Sequence, residues 1–484
     1  MTRAMALTQT DFQKFFNPRH IAIVGVSTGN YKFGGTSFLM KLQDGGYPGK
    51  LYPINPNAKE IRGLKIFPDV LSLPEVPDLA MVCVAAKFVP SVLEQCAQIG
   101  LRHIHILTSG FNETGREEGR RLEEQLVAIS KANRLLIIGP NCMGPYCPSA
   151  RLTAWGAIPG LSGTLGIISQ SGGLTQRLTE YTYSLGIGVG KAVSFGNGTV
   201  LNATDFLEAM AEDESISIIA MYLESVRDGR RFLQIARDVG KKKPIILWKG
   251  GESRAGAATA ASHTGAMSGE QRLWEAFFRQ TGTIHVRSMN ECVDIIMALS
   301  MLSAPAGKGV FIIGGGGGNS VACGDLCVRE GLDVPQLSAS SMESLRRVVP
   351  VAGSIAGNPL DMWLTFTDAG YLADVLDLAY KDPSVSMVIV DRLIPRKAFH
   401  MPDMIDPTPE IIEFLQSRHN KKPTVFAIDS EGGDPDLVRK GSNLKTQFCN
   451  SGIPAYPSVR RAARALFHLY SYHNFRKKSE SSRK

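Results

Sequence analysis

One histidine of this chain lies among unusually small residues. His263 stands in the segment Ala260-Ala261-Ser262-His263-Thr264-Gly265-Ala266-Met267, and Gly250 and Gly251 precede that segment. A backbone with so few side-chain constraints can form a mobile loop. Histidine is also the side chain whose ordinary titration falls near neutrality, so a neutral nucleophilic ring is available. The segment is therefore a candidate for covalent group transfer, and an ordinary loop is the alternative.

The elements that must position this loop follow a repeating theme of short apolar runs, glycine-rich turns and helical patterns. Apolar runs occupy residues 21–24, 79–84, 135–138, 166–168, 217–221, 244–247, 310–313 and 387–390. Continuous rather than alternating apolar runs indicate strands buried on both faces, as in parallel sheets covered by helices. The sequence predicts an α/β fold with three domains at 1–145, 146–303 and 304–484.

Composition limits the classes of function. The chain has 484 residues, a net charge of +8 and eight cysteines. Part of the positive charge belongs to the tail 476–484, which we expect to be solvated and frayed, and no nucleic-acid module is recognisable. No apolar run reaches the roughly 18 residues of a membrane-spanning helix. The cysteine spacings fit neither a disulfide framework nor a zinc site, so we expect a cytoplasmic protein without its own metal.

The first strand leads into a glycine-rich turn, Gly25 to Gly35. The dinucleotide fingerprint Gly-x-Gly-x-x-Gly is broken here by Ser27, and no acidic residue follows the second strand, so NAD is disfavoured. Ser27 and Lys32 suit a phosphorylated nucleotide bound in another pose. A turn that merely lets helix and strand approach is the alternative.

A second turn, Ser169-Gln170-Ser171-Gly172-Gly173, lies between a predicted strand and a predicted helix. Free backbone N–H groups at such a helix start can receive phosphoryl oxygens. Neither serine fits Gly-x-Ser-x-Gly, which disfavours a serine hydrolase. A tight strand–helix turn is the plain alternative. His103 and His105 alternate on one strand face, and without further ligands we interpret them as structural.

The order of these motifs resembles a known family. Besides the first turn, it includes Tyr-Pro-x-Asn-Pro at 52–56, Thr-Ser-Gly-Phe-Asn-Glu at 108–113 and Gly-Pro-Asn-Cys at 139–142. It continues through the serine-glycine turn, Tyr-Leu-Glu at 222–224, Ser-His-Thr-Gly at 262–265, Asn-Pro-Leu-Asp at 358–361 and Ile-Pro-Ala-Tyr at 453–456. Nearly the whole chain resembles the NDP-forming acyl-CoA synthetases, relatives of the succinyl-CoA synthetase α subunit. The resemblance implies a Rossmann-like CoA-binding domain followed by two flavodoxin-like ligase domains.

The resemblance also implies a reaction, acyl-CoA + phosphate + NDP ⇌ carboxylic acid + CoA + NTP, through an acyl phosphate and a phosphohistidine. It implies that His263 carries the phosphoryl group and that Glu224 holds the other imidazole nitrogen. The residues that would bind the phosphoryl oxygens are Ser169, Gln170, Ser171, Gly172 and Gly173. Those that would line the coenzyme A groove are Gly25, Ser27, Lys32, Pro53, Asn55 and Ala85. Asn141 and Cys142 would lie near the thioester.

Two features are absent from the sequence. It contains neither the phosphate loop Gly-x-x-x-x-Gly-Lys-Ser/Thr nor a region like the ATP-grasp nucleotide domain of these synthetases. The resemblance therefore implies a separate ATP-grasp β subunit that binds ATP or ADP with Mg²⁺, in an α2β2 heterotetramer. A non-catalytic CoA-binding regulatory or scaffold protein is the alternative hypothesis, and a NAD-dependent oxidoreductase is a more distant one. The sequence leaves the carboxylic acid and the choice of ADP or GDP open.

Overall fold

The computed structural model describes residues 7–29, 34–154, 161–253, 255–256, 271–314, 316–350, 354–362, 365, 367–392, 394, 406–418, 422–430 and 435–481. Three large sheets and one short hairpin form in these ranges. The chain divides into two compact units, residues 1–183 with 187–289 and residues 184–186 with 290–484. Helices alternate with mostly parallel strands, which confirms the predicted α/β fold.

The first unit opens with a five-stranded parallel sheet. Its elements, including the hairpin, are α1 (Gln9–Phe16), β1 (His20–Val24), α2 (Gly35–Asp44), β2 (Lys50–Ile54), β3 (Glu60–Ile61), β4 (Leu64–Lys65), β5 (Leu79–Val82), α3 (Val89–Gln98), β6 (His103–Ile106), α4 (Glu117–Asn133) and β7 (Leu136–Ile138). The strand order is β2-β1-β5-β6-β7. Because β2 and β5 flank β1 on opposite sides, the ends of β1 and β5 bound the crevice in which such sheets bind ligands.

The same unit contains a second, six-stranded sheet. Its elements are β8 (Gly144–Tyr146), β9 (Ser162–Ser169), α5 (Gly172–Ser184), β10 (Val189–Ser194), α6 (Ala203–Glu212), β11 (Ile218–Leu223), α7 (Gly229–Gly240), β12 (Ile245–Lys249), α8 (Gln271–Thr281) and β13 (Ile284–Val286). The order is β13-β12-β11-β9-β10-β8, and only the pairing of β8 with β10 is antiparallel. The strand order reverses at β9, so the corresponding crevice lies between the ends of β9 and β11.

The second unit is built on a third sheet, which is parallel. The elements from its first helix onward are α9 (Met289–Met301), β14 (Val310–Gly314), α10 (Gly317–Arg329), α11 (Ala339–Val348), β15 (Leu360–Asp361), α12 (Ala369–Lys381), β16 (Met387–Asp391), α13 (Thr408–Ser417), β17 (Thr424–Ala427), α14 (Pro435–Asn450), β18 (Ala455–Tyr456) and α15 (Val459–Ser481). The strand order is β15-β14-β16-β17-β18. Asp294 of α9 accepts two hydrogen bonds from Arg461 of α15, at 2.6 and 2.7 Å, which joins the first and last helices of the unit.

The basic tail differs from its expectation, because α15 continues as a helix to Ser481. Arg476 and Glu480 form an ion pair at i and i+4, with 3.5 Å between nitrogen and oxygen. The hydroxyls of Ser479 and Ser481 donate to carbonyls one turn earlier. An ion pair at i and i+4 stabilises a helix by a few tenths of a kcal/mol. Among the described residues, no helix combines the length and the apolar character needed to cross a membrane.

Candidate active site

The crevice of the second sheet brings together two motifs that lie far apart in sequence. The β9–β11 register places Ser169 beside Tyr222, so the turn after β9 meets the residue after β11, Glu224. The side-chain oxygen of Gln170 accepts hydrogen bonds from the backbone N–H of Glu224 (2.5 Å) and of Ser225 (3.0 Å). Glu224 is buried, with 7% of its surface exposed. Gln170, predicted to bind phosphate, therefore also fixes the backbone at Glu224.

Two further side chains hold Glu224, and sequence reasoning missed both. The hydroxyl of Tyr222 donates to Oε1 of Glu224 at 3.2 Å. Burial, followed by the charge of Glu224, raises the pKa of Tyr222 to about 12, so the phenol keeps its proton at neutral pH. The ammonium of Lys249 donates to the backbone carbonyls of Glu224 (2.8 Å) and Gly250. A lysine at a strand end ordinarily faces water, so no local sequence pattern marks the Lys249 contact.

Lys249 is an unusual residue for a sheet interior. Its side chain is almost fully buried, and burial lowers its pKa. The ring of Trp274 lies 5.4 Å from the ammonium nitrogen, close enough for a cation–π contact. The lysine therefore ties the carboxyl ends of β11 and β12 together, at the point where the chain leaves β12 toward the His263 segment.

The serine-glycine turn after β9 forms the start of α5. Oγ of Ser169 accepts a hydrogen bond from the Ser171 N–H at 3.0 Å, and Oγ of Ser171 accepts one from the Leu174 N–H at 3.3 Å. A Cβ added at Gly172 would lie 2.5 Å from Cγ of Met143, so a larger residue there would displace the Met143 side chain. Because α5 begins at this turn, the positive end of its dipole lies in the same crevice as Glu224. This arrangement is suited to a phosphoryl group.

The crevice of the first sheet contains most of the residues predicted to hold coenzyme A. Gly25 has φ +94°, and an added Cβ would lie 2.8 Å from the Cys83 carbonyl oxygen, so the turn requires glycine. Pro53 is paired with Ile23 in the sheet, and the side-chain amide of Asn55 donates to the Val26 carbonyl.

The turn around Ser27 and the end of β5 complete this crevice. The Ser27 N–H donates to the Thr36 hydroxyl at 2.7 Å. Ala85 precedes a short 3-10 helix after β5. At Gly34, which caps α2, an added Cβ would meet nothing within 4 Å. The α2 N-terminus has no side-chain cap, so its first backbone N–H groups are available to an anion such as a phosphate.

Asn141 and Cys142 lie in the loop from β7 to β8. Asn141 has φ +60°, and its N–H donates to the Thr108 carbonyl at 2.9 Å. Cys142 is buried, and burial raises the pKa of its thiol well above the usual range. Nε2 of His105 lies 3.1 Å from the Cys142 carbonyl oxygen, and burial lowers the pKa of His105 to about 4. At neutral pH the thiol of Cys142, in this loop, and the imidazole of His105, which contacts the loop, are therefore both uncharged.

Two predicted residues, Lys32 and His263, lie outside the described residues. The CoA phosphate contact and the phosphohistidine therefore stay predictions. Within the ranges that the structure describes, no group of three or more histidine, cysteine, aspartate or glutamate side chains could hold a metal ion. His103 contacts Asp11 of α1, with 2.9 Å between Nε2 and Oδ1, and serves to anchor that helix.

Comparison with known proteins identifies the family to which these domains belong. Three family models match in order, a CoA binding domain over residues 19–148, a succinyl-CoA ligase like flavodoxin domain over 162–299 and a Ligase-CoA domain over 310–468. The acetate–CoA ligase [ADP-forming] I subunit alpha of Pyrococcus furiosus is 36% identical over 96% of this chain and 98% of its own length.

Two further comparisons extend this likeness. The longer acetate–CoA ligase [ADP-forming] I of Archaeoglobus fulgidus is 32% identical, and the match covers 95% of this chain and 63% of that protein. Among solved structures, the dinucleotide forming acetyl-coenzyme A synthetase 1 of Ca. Korarchaeum cryptofilum, in complex with phosphate and ADP, superposes with a TM-score of 0.86. That match is 31% identical and covers 97% of this chain and 98% of the other.

The ordered domains and the two crevices define a CoA-dependent acid–thiol ligase. The chain belongs to the family of ADP-forming acyl-CoA synthetases and corresponds to their α subunit. Members use coenzyme A and ATP or ADP and catalyse the CoA ligase reaction.

Proposed function

We propose that this chain is the α subunit of an acetate–CoA ligase that acts in the cytoplasm. The name of the Pyrococcus furiosus relative supports both acetate and the subunit assignment. The eight cysteines, all unpaired in the structure, fit a reducing compartment. The partner is an ATP-grasp β subunit, the complex is α2β2, and the longer Archaeoglobus fulgidus relative is consistent with such a partner fused to this chain.

The proposed reaction has three steps. A phosphate oxygen attacks the thioester carbonyl carbon, the C–S bond breaks, and CoA leaves with a proton on sulfur. A nitrogen of His263 then attacks the phosphorus of the acyl phosphate, the P–O bond to the acyl group breaks, and the carboxylate leaves. Finally a terminal oxygen of ADP takes the phosphoryl group, which gives ATP and restores the imidazole.

Residues of the second crevice would serve the middle step. Glu224 would accept a hydrogen bond from the imidazole nitrogen that does not react, which fixes the tautomer and stabilises the positive ring. The N-terminus of α5, with Ser169, Gln170, Ser171, Gly172 and Gly173, would receive the phosphoryl oxygens. The observation that carries this proposal is the contact of Gln170 with the backbone of Glu224 across β9 and β11.

Residues of the first crevice would bind the thioester. Gly25, Ser27, Lys32, Pro53, Asn55 and Ala85 would line the CoA groove, and Asn141 and Cys142 would lie at its acyl end. Magnesium would accompany the nucleotide on the partner, and no described residue of this chain is assigned to it.

Labelling with radioactive orthophosphate tests the proposal. We expect the chain, assembled with its β subunit, to acquire acid-labile label on His263 when acetyl-CoA is present. His263→Ala should abolish the label and still bind CoA, whereas His285→Ala, a matched change at a partly exposed histidine, should keep it. Label without dependence on His263 would refute the assignment. A panel of carboxylic acids with CoA, ATP and magnesium then tests the preference for acetate.

A further inference from the structure

The turn that follows β10 joins the two crevices of the first unit. Gly196 has φ +54°, and a Cβ added there would lie 2.2 Å from the Asn141 carbonyl oxygen, so the two loops are in direct contact. The next residue, Asn197, is 8% exposed, and its N–H donates to the Pro140 carbonyl at 3.1 Å. The backbone of this turn thus touches the loop that holds the predicted thioester residues.

The side chain of Asn197 makes three polar contacts. Its Nδ2 donates to Oε2 of Glu113 at 2.7 Å and to Oε2 of Glu123 at 3.0 Å. Its Oδ1 lies 3.5 Å from Nδ2 of Asn141. A carboxamide supplies two donors and one acceptor, which matches two carboxylates and one amide. Aspartate, of the same shape, would set a third carboxylate against the two glutamates.

The two glutamates hold the loop that precedes α4. Oε1 of Glu113 accepts the N–H groups of Gly110 (2.6 Å) and Phe111 (3.1 Å). Oε2 of Glu123 accepts the N–H of Asn112 at 3.3 Å. Through these carboxylates, Asn197 fixes a loop of the first sheet against the end of β10 in the second sheet.

Arg227 extends the same network toward Glu224. Its Nη2 donates to the Asn197 carbonyl at 3.2 Å and lies 3.6 Å from Oε1 of Glu123. Arg227 stands three residues after Glu224 in the loop between β11 and α7. One asparagine therefore contacts the predicted thioester loop, the loop before α4 and the loop that follows the predicted catalytic glutamate.

We propose that Asn197 is a positioning residue that sets the Asn141 loop, and with it the acyl end of CoA, against the phosphoryl-transfer crevice. The inference rests on the proposed function. Phosphate attack on the thioester and transfer to His263 require the two crevices to be correctly placed relative to each other. Phosphorylation of His263 by ATP on the partner subunit needs the His263 segment and Glu224, but not the acyl end of CoA. Loss of Asn197 therefore separates the two half-reactions.

The test measures both half-reactions in the assembled complex. In Asn197→Asp, labelling of His263 from acetyl-CoA and orthophosphate should slow by about 10²-fold, as expected for a reacting group displaced by about 1 Å. Labelling from γ-labelled ATP should change less than about twofold, because that half-reaction does not use the acyl end of CoA. Asn202→Ala is the matched control, because Asn202 caps α6 and has none of these contacts among its hydrogen bonds.

A second substitution provides a rescue. In Asn197→Asp combined with Glu113→Gln, the new carboxamide can donate to the new carboxylate and still accept from Gly110 and Phe111. We expect this double variant to regain acetyl-CoA-dependent labelling, and it also serves if Asn197→Asp alone does not fold in thermal melts. The inference is refuted if Asn197→Asp labels like the wild type, or if both half-reactions fall equally and the double variant rescues neither. Absence of label in the wild type would instead refute the proposed function.

Discussion

The two crevices of the first unit differ in the charge of the ionisable side chains buried next to them. At the end of the first sheet, His105 and Cys142 are buried without a charged partner, and burial moves their pKa values so that both stay neutral. In the second sheet, the Lys249 ammonium donates to the backbone carbonyls of Glu224 and Gly250, at the same crevice as the buried Glu224 carboxylate. A thioester brings no charge to its site, whereas a phosphoryl group does. The difference fits neutral groups around the Asn141–Cys142 loop and a placed charge beside Glu224.

The largest effect should come from removing the charge next to the predicted phosphohistidine. Glu224→Gln keeps the shape but can present a donor where the imidazole needs an acceptor. We expect acetyl-CoA-dependent ATP formation to fall by about 10³-fold or more, by analogy with the loss of a carboxylate that orients histidine. CoA binding should not change.

The matched control for that substitution is Glu214→Gln, at an exposed position of the same unit. The rate is measured as ATP formed in the assembled complex. Equal rates for the two variants would contradict a role for the Glu224 charge.

The buried ion pair of the second sheet should matter for stability. Burial alone would raise the pKa of Asp213, but hydrogen bonds from Lys191 and Ser215 lower it overall. Asp213→Asn leaves the Lys191 ammonium buried without its partner charge, which should cost about 3–5 kcal/mol in the free energy of unfolding. Urea titration measures this cost. The exposed pair Lys241–Asp238 gives a control, because Asp238→Asn should cost about 0–1 kcal/mol.

The neutral histidine of the first sheet should give a pH dependence. His105 has a lowered pKa of about 4, against 6.5 for an ordinary histidine, because burial disfavours its charged form. The unfolded chain therefore binds a proton below pH 6.5 that the folded chain does not accept until about pH 4. The contribution of His105 to the free energy of unfolding is therefore greatest above pH 6.5. It falls by up to about 3 kcal/mol as the pH is lowered toward 4.

His105→Gln isolates that contribution. The glutamine amide can still donate toward the Cys142 carbonyl but does not titrate. Unfolding free energies measured from pH 7 to pH 4 should therefore decline less steeply in the variant than in the wild type. Parallel curves for the two proteins would contradict the neutral assignment of the first crevice.

The smallest effect concerns the phenol that donates to Glu224. Tyr222→Phe removes one hydrogen bond, worth about 1 kcal/mol, so the rate of His263 labelling should fall by about fivefold. Tyr183→Phe, at an exposed position, is the matched control and should leave the rate unchanged. A fall as large as that of Glu224→Gln would show that the hydroxyl does more than orient the carboxylate.

The strands were predictable because continuous apolar runs have few structural solutions. The predicted runs at 21–24 and 387–390 lie in buried parallel strands, and so does the run at 244–247 from Ile245 onward. Glu224 and the serine-glycine turn were each identified as the end of such a strand, and their meeting follows from the reversal of strand order at β9.

Lys249 and Asn197 were not predictable in the same way. A lysine or an asparagine at a strand end ordinarily faces water, and only the tertiary contacts bury these two. The partners of Asn197 lie 74 and 84 residues away in sequence, so no local pattern marks them. Residue type and spacing predicted where a site lies, but not which neutral or charged neighbours surround it.

The most direct test of the account follows phosphorus in the wild-type complex. Radioactive orthophosphate and acetyl-CoA are added to the chain with its β subunit, ADP is withheld, and the labelled peptide is mapped. We expect label on His263 alone, and we expect it to be released to ATP when ADP is supplied. Label that never attaches to His263 while ATP still forms would contradict it.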